Sequence, residues 1–150
     1  MEKVWEDLYK AAKNVQNPRE VSERIYAGGV AAAIEASSGK IYTGVCVDTS
    51  CTLGICAERN AIFNMITNGD NEIKRVLAIM SDGKTGAPCG ACRELMTQLM
   101  PKSYQHVEIM LDYKGYTLSG MDRDSMPDFF IQKRGHLLSP RYTINSPQKS

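Results

Sequence analysis

Three cysteines and one glutamate stand at a spacing that metal chemistry can use. Cys56-Ala57-Glu58 comes first, and Cys89 of Pro88-Cys89-Gly90-Ala91-Cys92 follows 33 positions after Cys56. Three thiolates can hold a zinc ion and leave its fourth position to water, which is the layout of a hydrolytic site rather than a closed structural one. Water on zinc has its pKa lowered to about 7. A nearby carboxylate that is not itself a ligand can take that proton and deliver it to a leaving group. Glu58, two residues past Cys56, is the candidate for this work. Three thiolates carry more negative charge than one divalent ion cancels. Arg59 is placed to offset the excess by hydrogen bonds to sulfur.

The elements around these residues must position them. Cys56 falls at the start of one apparent helix, and Cys89 and Cys92 at the start of another. Helix N-termini carry partial positive charge, which favours the thiolate, and residues i and i+3 share a helix face, so Cys89 and Cys92 can grip one ion together. The helix after Cys56 repeats apolar residues from Ala57 to Ile66 and stops at Asn68-Gly69. The helix after Cys89 carries Leu95, Met96, Leu99 and Met100 and stops at Pro101. An amphipathic helix runs from Val4 to Val15. Val30 to Ala36 suits helix or strand by propensity; with the turn Ser37-Ser38-Gly39-Lys40 and the β-rich Ile41 to Val47, a hairpin is the consistent reading. Val76 to Met80 predicts a strand buried on both faces. Val107 to Leu111 and Tyr116 to Leu118 predict two more, with Asp112-Tyr113-Lys114-Gly115 turning between them. Strands alternating with helices imply an α/β layered domain.

Size and charge narrow the class. A chain of 150 residues, 43% hydrophobic and 23% charged, predicts one globular domain with a real core. We expect it to span residues 1–130. Residues 131–150 hold four basic and no acidic side chains and read as a peripheral tail. A net charge of +1 offers no global attraction to nucleic acid or to a membrane surface. No apolar run approaches the ~18 residues of a membrane span, and the N-terminus lacks a signal-peptide stretch. Cytoplasmic is the default location. Five cysteines, an odd count, suit metal or redox work in a reducing compartment better than structural disulfides.

Another arrangement would make the site structural. A fourth ligand among Cys46, Cys51, His106 and His136 would close the metal shell and leave Glu58 without a task. A non-enzymatic, zinc-stabilised structural or binding protein is the alternative from outside enzymes. It leaves the Cys-x-Glu before the cysteine pair unexplained.

Taken together, these segments resemble the zinc-dependent cytidine deaminase family, whose general signature is His-x-Glu followed by Pro-Cys-x-x-Cys. Here cysteine holds the histidine position, as in the tetrameric nucleoside deaminases. Leu53 to Ile62, Ala87 to Arg93 and Gly39 to Gly44 resemble the family closely, and Pro127-Asp128-Phe129-Phe130 resembles its C-terminal Pro-x-x-Phe. The resemblance implies a three-layer α/β/α domain on a mixed five-stranded sheet, with zinc on Cys56, Cys89 and Cys92. It implies attack of metal-bound hydroxide on C4 of a cytosine nucleoside such as cytidine or deoxycytidine, with Glu58 moving protons. It also implies a homo-oligomer, usually a tetramer, and substrate contacts from the Ala57 backbone and Phe130. The family's Asn-x-Glu-Asn, which holds the ribose, reads Cys46-Val47-Asp48-Thr49 here. Asp48 can still accept from a sugar hydroxyl, while Cys46 replaces an amide by a weak donor. The family's Phe-Pro-Val-Gly reads Gly28-Gly29-Val30-Ala31. Blasticidin S deaminases share the zinc core with a different loop, so a blasticidin S-type or other aminated-ring substrate is the alternative.

Overall fold

The computed structural model describes residues 3–111, 113–114 and 117–118. The elements run α1 (Lys3–Val15), β1 (Arg19–Ser22), β2 (Ile25–Ala36), β3 (Ile41–Thr49), α2 (Ala57–Thr67), β4 (Ile73–Ile79), α3 (Gly90–Leu99), a 3₁₀ turn at Tyr104–His106, β5 (Glu108–Ile109), β6 (Tyr113–Lys114) and β7 (Thr117–Leu118). β1 to β5 form one five-stranded sheet. It is mixed, because β2 pairs antiparallel with β1, β3 and β4, while β4 and β5 pair parallel on either side of α3.

Alternation along the two central strands builds the three layers. Ala31 and Ala33 of β2, with Leu77 and Ile79 of β4, pack on Trp5, Leu8 and Ala12 of α1. Ala32, Ile34 and Ala36, with Val76 and Ala78, face the other way. They pack on Ala57, Ala61, Ile62 and Met65 of α2 and on Cys92 and Met96 of α3. The strand reading of Val30 to Ala36 holds although alanine favours helix. Hydrogen bonding to β3 along one edge and β4 along the other outweighs that preference.

Two expectations are corrected. Tyr113 and Lys114, read as part of a turn, are strand residues paired with Leu118 and Thr117. Tyrosine suits a pleated strand, and this ribbon stands apart from the main sheet rather than extending it. The fifth strand of the sheet is instead β1, for which no strand was expected. All four of its residues are exposed, so it has no apolar alternation to betray it and is held by backbone pairing to the outer end of β2.

Two glycines let the site form. A Cβ at Gly44 would come within 2.4 Å of Ala61 N and 2.8 Å of Ala57 O, so α2 lies directly on the β3 backbone. Its Asn60 and Asn64 amides donate to the carbonyls of Val45 and Thr43 at 3.0 and 3.2 Å. A Cβ at Gly54 would come within 2.5 Å of Val47 O. That close approach accompanies the paired bonds between Val47 and Ile55, of 3.0 and 2.9 Å, that return the chain to β3 just before Cys56. We expect Gly44→Ala to lower stability by about 1–3 kcal/mol, the usual cost of overpacking. Chemical denaturation checks this, and an unchanged midpoint would mean that α2 can lift off β3 freely.

Candidate active site

Two of the three cysteines stand at helix starts without a side-chain capping bond. Cys56 is the N-cap of α2 and Cys89 the N-cap of α3, both with extended backbone, and Cys92 lies in the first turn of α3. Backbone bonds from Met80 N to Lys84 O and from Gly86 N to Ala78 O fold the loop after β4 back on that strand. Cys89 therefore opens α3 beside the start of α2. Cys56 Sγ lies 3.5 Å from Cys89 Sγ, and Cys89 Sγ 3.5 Å from Cys92 Sγ. All three sulfurs fall within 4.8 Å of one another, and no fourth Cys, His, Asp or Glu joins them among the described residues. Tetrahedral zinc with bonds of about 2.3 Å would set sulfurs about 3.8 Å apart, so the observed cluster fits that ion. Cys46, Cys51 and His106 stand outside it, and His136 lies outside the described residues.

Without a cation the cluster does not carry three thiolates. Burial pushes the Cys92 thiol far above its ordinary value, and the nearby Glu58, Cys89 and Cys56 charges push it further. Burial likewise raises Cys56, against the pull of Arg59. Burial disfavours the Cys89 thiolate too, but the backbone N–H of Cys92, the two neighbouring thiols and the N–H of Ala91 outweigh it and lower the Cys89 pKa. Three thiolates crowded together are stable only around a positive ion, which inverts this local balance.

Glu58, only 4% exposed, accepts from the Cys92 thiol through Oε2 at 3.8 Å. Burial raises its carboxyl above the ordinary range, more than its backbone bond, Cys92 and Arg59 lower it. Arg59 donates through Nη2 to Cys56 Sγ at 3.7 Å.

Beside the cluster opens a cleft of about 280 Å³, lined by Cys46, Asp48, Thr49, Cys51, Cys56 and Arg59 among others. Cys46 is already engaged, its sulfur accepting from Val30 N–H at 3.2 Å, while Asp48 is exposed. Ala57 is fully buried, its carbonyl against Gly44. Phe130, with Pro127 to Phe129, lies outside the described residues. Sequence reasoning missed Asn60 and Asn64, which fasten α2 to β3. A polar pair at i, i+4 among the apolar residues Ala61, Ile62 and Met65 was the available signal.

A family model described as the cytidine and deoxycytidylate deaminase zinc-binding region matches residues 3–107. The chain belongs to that family. A probable cytidine deaminase of Dictyostelium discoideum is 38% identical over 93 residues, 59% of this chain and 63% of the relative. A blasticidin-S deaminase of Bacillus cereus is 29% identical over 89 residues, 53% of this chain and 64% of the relative. Both matches thus span less than two thirds of the relative's length. Among solved structures, a cytidine deaminase from Mycobacterium leprae superposes with a TM-score of 0.58 at 27% identity, covering 71% of this chain and 87% of that one. The expected α/β architecture with its mixed five-stranded sheet is thereby shown. Among the described residues no helix is long and apolar enough to cross a membrane.

Proposed function

We propose that the protein is a zinc-dependent hydrolytic deaminase that releases ammonia from a cytosine nucleoside such as cytidine or deoxycytidine. The observation that carries this reading is the convergence of three thiols, with no fourth ligand among the described residues, on a buried carboxylate. Cys56, Cys89 and Cys92 would hold the ion. Zinc there supplies a Lewis acid that brings the pKa of water to about 7. Glu58, its pKa raised by burial, accepts a proton from the attacking water and returns it to the departing amine, which suits a group poised nearer neutrality than an ordinary carboxylate. Arg59 offsets the excess negative charge of three thiolates through its bond to Cys56. Asp48, in the cleft beside the ion site, accepts from a sugar hydroxyl. The Ala57 backbone and Phe130 complete the substrate contacts by family resemblance.

The likeness to a blasticidin-S deaminase, with Cys46 where the family carries an amide, favours a modified cytosine nucleoside as the second reading. An ammonia-release screen over cytidine, deoxycytidine, modified cytosine nucleosides and aminated purines separates the two. Release from none of them by zinc-loaded protein rejects the deaminase reading. We also propose a homotetramer in the cytoplasm. Phe63 and Ile66, 44% and 41% exposed on one face of α2, supply apolar surface for self-association. Sedimentation should give about four times the chain mass, and a monomer at micromolar concentration would reject this.

A further inference from the structure

Asp48 and Thr49 line more than the cleft beside the thiols. The same two residues wall a second cleft, of about 330 Å³, along the β1–β2 reversal, where Glu20, Glu23, Arg24 and Tyr26 also face it. Tyr26 stands directly opposite Asp48 in the β2–β3 register, so the two side chains leave one face of the sheet as neighbours. Cys46, two residues before Asp48 on β3, leaves that face as well. The Tyr26 ring leans along the sheet toward it: a methyl group built at Gly29 would lie 3.9 Å from Tyr26 Cε1 and 4.0 Å from Cys46 Sγ. One point over Gly29 is thus in van der Waals reach both of a ring that lines the second cleft and of a sulfur that lines the first.

This ring is 44% exposed. A flat apolar face with carboxylates beside it suits one kind of guest, a ring that is apolar on its faces and hydroxylated at its edge. The ring packs on the tyrosine, and its hydroxyls donate to carboxylates, which only accept. Glu20, Glu23 and Asp48 set three carboxylates against the one guanidinium of Arg24. That balance repels a phosphate.

We propose that Tyr26 is the platform on which the sugar of the substrate packs, and that the second cleft takes the sugar's outer end without a phosphate. This rests on the reading of the thiol cluster as the place where a cytosine nucleoside reacts. It assigns specificity for the sugar to a residue of β2.

Calorimetric titration of the zinc-loaded full chain with cytidine, cytosine and cytidine 5′-monophosphate tests it, in a Glu58→Gln background that keeps the ligands from being deaminated during the titration, with position 26 wild type or Tyr26→Ala, Tyr26→Phe or Tyr26→Leu. We expect wild type to bind cytidine more tightly than either cytosine or the monophosphate. Tyr26→Ala should weaken cytidine roughly 3- to 10-fold, the range for loss of one aromatic contact, and leave cytosine unchanged. Tyr26→Phe should bind as wild type. Tyr26→Leu, similar in bulk without a flat ring, should repeat the alanine result and so excludes a mere loss of packing. An alanine variant that keeps the full wild-type preference for cytidine over cytosine, or a wild type that lacks it or favours the monophosphate, overturns the proposal. A failed deaminase reading shows itself separately, as nucleoside binding with no ammonia released by the zinc-loaded protein that keeps Glu58.

Discussion

Glu58→Gln should keep its zinc and lose turnover by about 10²- to 10⁴-fold, the contribution of a positioned general acid–base. The substitution preserves volume at a site that is only 4% exposed, so packing around α2 is retained. It removes the buried carboxylate beside the sulfurs, a group able to take up and release a proton. The amide cannot accept a proton at neutral pH, and the burial that raises the carboxyl's pKa has nothing left to act on. Metal content by atomic emission should stay near that of wild type, because the carboxylate lies outside the three-thiol group. Kinetics on whichever nucleoside the ammonia screen identifies then isolates the chemical step. Wild-type-like turnover would remove Glu58 from the mechanism. Loss of metal together with turnover would recast it as a ligand.

Cys92→Ser should empty the site. Cys92 is fully buried in the core between α2 and α3 and is the thiol hardest to ionise without a cation. Serine keeps the shape, but its hydroxyl does not ionise at neutral pH and makes a poor zinc ligand. Wild type should carry about one zinc per chain and the variant almost none after dialysis. An ion that binds only the folded state stabilises it by mass action, about 4 kcal/mol at a thousandfold excess over its dissociation constant. For a chain of this size, that corresponds to a fall in melting temperature on the order of 10 °C when a chelator strips wild type. The same chelator should leave the variant's melting temperature unmoved. Equal zinc in both proteins, or a chelator without effect on wild type, would reject the three-thiol site.

Much of the layout was legible in local signals. Helical spacing placed α1, α2 and α3, and the helix-stop residues Asn68-Gly69 and Pro101 bounded two of them. The turn at Ser37 to Lys40 closed the β2–β3 hairpin, with Gly39 N bonded to Ala36 O at 2.9 Å. Where such signals were missing, the reading failed. β1 is four exposed residues that exist as a strand only because the far end of β2 offers a backbone to pair with. Tyr113 and Lys114 look like turn residues until Leu118 and Thr117 are set opposite them.

The site divides in the same way. Residue types and short spacings determined by themselves which atoms can do chemistry: Cys89 and Cys92 share a helix face, Cys56 and Glu58 share a first turn, and Arg59 follows. Only the tertiary structure decided that Cys56, 33 residues from Cys89, comes to 3.5 Å from it, and that Tyr26 meets Asp48 across the register. The reason is physical. Caps and periodicity depend on a few adjacent residues, whereas the meeting of two helix N-termini depends on strand pairing and on backbones approaching closely at Gly44 and Gly54, where the contacts are with residues elsewhere in the chain.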